Sequence, residues 1–215
     1  MLPAGSAPSR WRASPARLVR LLAGLWLFGT GDALLVHAQL GNAPWTVLAQ
    51  GVSLHTPLSI GVATQLIGVA VLLGWIPLRE RPGLGTLCNV AVIGFAIDVM
   101  LPILPEPAVL STRVVALLVG IALIGIGSGF YLTADLGPGP RDGWMTGLHR
   151  RYRWPLSRVR FGIEVSVLAA GAALGGTVGL GTAAFALLIG PAVASSVRVL
   201  TRRAAVPAPA GMPRA

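Results

Sequence analysis

The chain repeats itself at an offset of about 96 residues, with an odd number of apolar segments between the copies. Ala38-Gln39-Leu40-Gly41-Asn42-Ala43-Pro44 returns as Ala134-Asp135-Leu136-Gly137-Pro138-Gly139-Pro140, and Gly83-Leu84-Gly85-Thr86 returns as Gly179-Leu180-Gly181-Thr182. Gly29, Gly31 and Gly94 likewise find Gly125, Gly127 and Gly190. If three segments per copy each cross a bilayer, the second copy lies upside down relative to the first, the inverted-repeat plan of many secondary transporters.

Composition supports a bilayer setting. Of 215 residues 54% are hydrophobic and 11% charged, with a mean hydropathy of +0.74, well outside the range of soluble domains. A net charge of +10 would direct a soluble chain toward nucleic acid. Here all seventeen basic residues are arginines, and they fall in short blocks between apolar runs, as topology signals do. No nucleic-acid partner is expected. The single cysteine, Cys88, excludes an internal disulfide and reads as a small packing residue.

A bilayer core of ~30 Å calls for about 20 apolar residues per helix. Six segments qualify, over 18–40, 58–78, 84–104, 113–135, 159–176 and 178–199. With the N-terminus in the cytoplasm, the inner loops hold every arginine except Arg113, so both termini are expected inside a cell membrane. The Arg-rich start, the Leu21–Phe28 run and Val36-His37-Ala38 also resemble a secretory signal with its cleavage site. The counterpart of residues 27–45 at 123–141 argues against removal, so the first span is expected to be retained. The predicted organisation is a disordered cytoplasmic N-terminus (1–17), a first three-helix repeat (18–104), a second (113–200) and a disordered cytoplasmic tail (201–215). The middle spans align least well, since Pro57-Leu58-Ser59 pairs with Pro155-Leu156-Ser157 at an offset of 98.

Each copy breaks its first helix at Leu-Gly, at Gly41 and Gly137, and restarts at Pro44 and Pro140. Glycine past a helix end and proline in the next first turn are the expected punctuation, with Asn42 as a plausible N-cap. Paired breaks expose helix ends that can hold an ion or polar solute at a cavity. The alternative is a pair of interfacial connectors, with Trp45, Trp144 and Trp154 as headgroup anchors.

Ionisable residues within spans need a reason, because a charge at the bilayer centre costs ~3 kcal/mol or more. Asp32 lies twelve residues beyond Arg20, ~18 Å along a helix and near the midplane. Its counterpart is Ser128, and together they make a candidate polar site near the pseudo-two-fold axis. The competing reading is a protonated aspartate bonded to a neighbouring helix. Asp98 reads as reaching the outer interface and Glu164 as pairing with Arg160 one turn away. His37 suits a proton-coupled step or an interfacial hydrogen bond. Asp135, Arg141 and Asp142 form a candidate cytoplasmic gate, or a pinned loop. The basic stretch from His149 to Trp154 fits anionic lipid headgroups. Glycines spaced by four, as at Gly125/Gly129 and Gly171/Gly175, suit close helix packing in lipid.

There is no His-Glu-x-x-His, Gly-x-Ser-x-Gly, phosphate-binding Gly-Lys-Ser/Thr loop or Cys/His cluster. We therefore expect no catalytic residues, metal or cofactor, and no enzyme. Leu-Gly-Asn-Ala-Pro-Trp at 40–45, Asp-Leu-Gly-Pro-Gly-Pro-Arg-Asp-Gly at 135–143, Gly-Gly-Thr-Val-Gly-Leu-Gly-Thr at 175–182 and Ile-Gly-Pro at 189–191 resemble the YczE-type bacterial membrane proteins, which are grouped with the YyaS and YitT proteins. The likeness covers roughly residues 20–200 and implies a polytopic plasma-membrane protein.

The expected fold is an all-α transmembrane helical bundle of about six spans arranged as two inverted three-helix repeats. The expected function is a small secondary transporter or permease for a small polar or ionic solute. Asp32 and Ser128 would be central, Gly41, Pro44, Gly137 and Pro140 would form the site walls, and Asp135, Arg141 and Asp142 the gate. The rival is a non-transporting accessory protein that binds a partner or anionic lipid through the inner basic loop. Assembly as a homodimer is a further expectation, because six short helices enclose little volume.

Overall fold

In the computed structural model, residues 10–204 are described, and among them regular structure is entirely helical. The helices are α1 (Pro15–Ala38), α2 (Pro44–His55), α3 (Ile60–Leu73), α4 (Trp75–Leu78), α5 (Leu84–Met100), α6 (Leu110–Thr133), α7 (Pro140–Tyr152), α8 (Leu156–Ala173) and α9 (Leu180–Ala204). α1 begins three residues before the expected span and α9 runs five past it. The expected disorder falls otherwise on residues 1–9 and 205–215, outside the described residues.

Among the described residues four helical stretches are long and apolar enough to cross a membrane: α1, α3 continued through α4 as Ile60–Leu78, α6, and Leu180–Arg202 of α9. That is fewer than the six expected. The 17 residues of α5 reach about 25 Å at 1.5 Å each, short of a ~30 Å core. α8 carries Arg158, Arg160 and Glu164 in its first half.

The centre of the molecule is the α1–α6 pair, which is antiparallel. Gly24 lies against Gly127 and Phe130, while Gly31 lies against Gly120 and Ile124. With no Cβ on either side, the backbones close to a distance larger residues forbid. The same device joins α6 to α9, where Gly125 faces Ala192 and Gly129 faces Ser196, and α2 to α8, where Gly171 faces Val47 and Leu48. Leu21 and Leu25 of α1 then pack with Ile93 and Ile97 of α5 and Tyr131 of α6. Leu35 packs with Ile121 and Ile124. α1 is thus part of the core.

The two repeated motifs meet each other. The Leu40-Gly41 break docks on the start of α9, with Gly181 N–H donating to the Leu40 carbonyl at 2.7 Å. The Leu136-Gly137 break docks on the start of α5 in the same way, Gly85 N–H donating to Leu136 at 2.7 Å. Gly41 and Gly137 adopt φ of +113° and +117°, a region only glycine enters without strain. Thr86 Oγ1 adds a bond to the Pro138 carbonyl at 2.7 Å and accepts from Gly83 N–H at 3.0 Å. Thr182 Oγ1 accepts from Gly179 N–H at 3.3 Å. Each half therefore supplies the seat for the other half's break.

One relation differs between the halves. α3 packs along α5, where Asp98 accepts from Ser59 Oγ at 2.5 Å and from Gly61 N–H at 2.8 Å. Among the described residues α8 and α9 make no comparable packing.

Candidate functional site: a polar cavity where two helix restarts meet

Both restarts occur at the prolines singled out in the sequence. α2 opens at Pro44 and α7 at Pro140, each after an extended N-cap residue, Ala43 and Gly139. Ala43, rather than Asn42, is the N-cap. Asn42 Nδ2 instead donates to Gln50 Oε1 at 2.9 Å, and Thr177 N–H donates to the same oxygen at 2.8 Å, tying the first break to the segment before α9.

The first turns of α2 and α7 line one cavity of about 350 Å³, closed by α1, α5 and α6 and flanked by α8 and α9. Its apolar walls are Phe28, Ile93, Ile124, Met145, Phe185 and Ile189. Its polar lining comprises Arg141, Asp142, Tyr131, Ser128, Asn89 and the Arg160–Glu164 pair. Arg160 Nε donates to Glu164 at 3.0 Å, the expected pair. The Arg141 guanidinium lies over the Trp45 ring, 4.9 Å from its centroid, a geometry that orients a cation over a π face. Among the described residues Arg141 makes no hydrogen bond and no salt bridge within 4 Å, and Ser128 and Asn89 are likewise unbonded. The Tyr131 hydroxyl is buried against the Gly139 backbone without completing a hydrogen bond.

The carboxylates near Arg141 are otherwise engaged. Asp142, in the first turn of α7, turns an oxygen back toward Gly139, where an acid offsets the partial positive charge of a helix N-terminus. Burial holds the Asp142 carboxyl above the usual carboxylate range, only partly offset by Arg141 and the Gly139 backbone. Asp32 is 1% exposed and sits behind the wall. Its carboxylate accepts from Thr46 Oγ1 of α2 at 3.0 Å, and it interacts with Arg141 at longer range.

The structure therefore brings Ser128, Pro44, Pro140, Arg141 and Asp142 together, sets Asp32 just outside the cavity, and places Gly41 and Gly137 at the docked breaks. Asp135 is exposed at the end of α6 and does not reach Arg141 or Asp142. Its backbone carbonyl, with that of Ala134, accepts from Arg17. Trp45 is 7% exposed and Trp144 Nε1 donates to the Val71 carbonyl at 2.7 Å, so neither is a headgroup anchor. Trp154, 56% exposed, keeps that role open. His37 bonds the Leu101 carbonyl at 2.8 Å. Tyr131 and Asn89 were not singled out in the sequence. Tyr131 lies three residues past Ser128, and spacing around that serine was the available signal.

A second, larger and mostly apolar cleft of about 720 Å³ lies between α2, α3, α7 and α8, with Trp154 and Arg158 at its border.

Helices of spanning length, glycine-mediated contacts and a polar cavity enclosed by apolar segments define an integral membrane protein of helical-bundle class. The chain belongs to the family of unknown function DUF6198, whose model matches residues 15–197. A Haemophilus influenzae relative described as an uncharacterized protein is 43% identical over 94% of this chain and 93% of its own. The uncharacterized membrane protein YczE of Bacillus subtilis is 34% identical over 78% of this chain and 79% of its own. The Bacillus subtilis protein YyaS, also described as uncharacterized, is 28% identical over 55% and 61%. The resemblance to YczE-type proteins read from the motifs thus holds. No solved structure matches the chain.

Proposed function

We propose that the chain is a small cell-membrane permease, built as two inverted three-helix repeats with both termini cytoplasmic, that carries a small polar or ionic solute through the 350 Å³ cavity. The observation that carries this reading is the convergence of two helix restarts, one from each half, on a cavity with unspent polar side chains. In inverted-repeat transporters, discontinuous helices present their ends to the solute at the repeat interface. On this reading α5 and α8 cross as short, tilted or locally thinned spans, and the protein is not an enzyme.

The unequal packing of the halves supports a rocking cycle. α3 is latched to α5 through Asp98, whereas α8 stands off α9 beside the cavity. Exchange of these arrangements would open the site to the other side. Asp135 falls outside such a gate, and Arg141 and Asp142 belong to the site itself.

The apolar cleft beside Trp154 and Arg158 favours a second reading, an accessory protein that holds anionic lipid at the inner basic loop. The decisive experiment is uptake into liposomes holding the purified protein, read directly as solute accumulation across a library of radiolabelled small polar and ionic solutes. Loss of flux in Arg141→Gln, with flux retained when Arg150, Arg151 and Arg153 are neutralised, is the expected result. Absence of flux for every solute, with a cellular phenotype lost only on neutralising those three arginines, would favour the accessory protein, whether monomer or homodimer.

A further inference from the structure

We infer that the cavity selects a small carboxylate with an apolar body, held by the Arg141 guanidinium. This deepens the permease reading and rests on it for the site, though not for its test.

The groups left unspent in the cavity are mainly donors. A guanidinium offers five N–H groups in a fork that matches a carboxylate, and here none of them is hydrogen-bonded among the described residues. Tyr131 adds a buried hydroxyl without a completed hydrogen bond, and Ser128 and Asn89 add a hydroxyl and an amide on the same wall. The first turns of α2 and α7 both open here, and each helix N-terminus carries about half a positive charge. The 350 Å³ volume, at ~30 Å³ per closely packed water-sized group, takes about ten non-hydrogen atoms. That is too small for a diacyl lipid. The aromatic and aliphatic walls suit the rest of a small organic acid.

Among the described residues, four charged side chains besides Arg141 line the cavity or lie just behind it. Arg160 and Glu164 neutralise each other at 3.0 Å. Asp142 is turned onto its own helix start. Asp32, with Thr46 bonded to its Oδ1, and Asp142 both act on Arg141 and oppose an anion there, Asp32 from behind the wall. A cation in the cavity would meet the guanidinium first and could not touch Asp32 directly. Asp32 therefore weakens the bound anion, which suits a site that must release its solute.

The sign of the Asp32 effect separates the alternatives. Full-length protein in phosphatidylcholine nanodiscs would be titrated with benzoate, benzylammonium and benzamide, three probes of one shape and different charge. Benzoate is expected to bind selectively. Arg141→Gln and Tyr131→Phe should weaken it, by tenfold or more and by severalfold respectively, while Asp32→Asn should tighten it severalfold. Tyr131→Phe keeps the ring, so a folded variant is available if Arg141→Gln fails to fold. Gly139→Ala, whose methyl would come to 3.0 Å from the Tyr131 hydroxyl, should also weaken benzoate. Benzylammonium preference with weakening in Asp32→Asn would overturn the proposal, as would no binding of benzoate. Blockade of benzoate by added phosphatidylglycerol would reassign the site to a headgroup and overturn it too. Benzoate binding without flux would leave this inference standing and remove the permease reading instead.

Discussion

At the residue scale, the positions that matter most are those where a side chain is excluded or left unspent. Gly41 holds φ +113°, and a Cβ there would lie 2.5 Å from Gly179 N and 2.7 Å from Thr182 Oγ1. Gly41→Ala should therefore cost about 1–3 kcal/mol or more from strain and overpacking, measured as a lowered melting temperature in detergent. Gly162, with nothing within 4 Å of its would-be Cβ, is the control, and Gly162→Ala should be neutral or gain up to ~1 kcal/mol from helix propensity. Thr86→Val should cost about 1–3 kcal/mol, because it leaves the Pro138 carbonyl and Gly83 N–H without partners. The ingredients of the site were legible here, since Ser128, Arg141, Asp142 and both prolines stand out in the sequence. Their roles were not. Asp32 read as the central group because its depth along α1 was countable, but which way a side chain turns depends on Thr46 arriving from another helix. Arg141 read with Asp135 and Asp142 as a gate because the three are close in sequence, whereas in space it lies over Trp45 and interacts with Asp32 and Asp142.

At the scale of elements, α7 decides whether the cavity exists, and two different contacts hold it. The first is a reciprocal fit in which the Trp75 ring lies on Gly143 and the Trp144 ring on Gly74. Trp75 Nε1 also donates to the Pro140 carbonyl at 2.9 Å. The second is the ion pair of Arg150 with Glu80, on the exposed end of α7. Gly143→Ala pushes a methyl into the Trp75 ring and should destabilise by about 1–3 kcal/mol while displacing Arg141, visible as loss of ligand binding. Glu80→Gln keeps the side-chain volume and should cost about 1 kcal/mol, less than Gly143→Ala, because Arg150 is 64% exposed and stays solvated although Glu80 is only 8% exposed. Equal effects of the two substitutions would contradict this division. Helix starts were the most legible elements, because proline in a first turn and glycine after a helix are local signals. The Trp–Gly fit was invisible in sequence, since it joins residues about 70 apart without any periodic pattern.

At the scale of the whole molecule, the antiparallel α1–α6 pair and the exchange of seats between the two breaks predict that α2 and α7 end on opposite faces of the membrane. In a Cys88→Ala background, Thr56→Cys should react with an impermeant maleimide in intact cells, and Tyr152→Cys only after permeabilisation. Labelling of both from one side would dismantle the inverted arrangement. Hydropathy determined on its own that the chain enters a bilayer, and the prolines and glycines determined where α2 and α7 begin, because burial in lipid and turn chemistry are written in local composition. Tertiary packing alone decided that each Leu-Gly break is seated on the other half's Gly-x-Gly-Thr helix start. It also decided that Arg141 has no hydrogen bond or salt bridge among the described residues and that Asp32 stands behind the cavity wall. These depend on which backbones approach closely enough to exchange hydrogen bonds, a property of pairs distant in sequence rather than of any one segment.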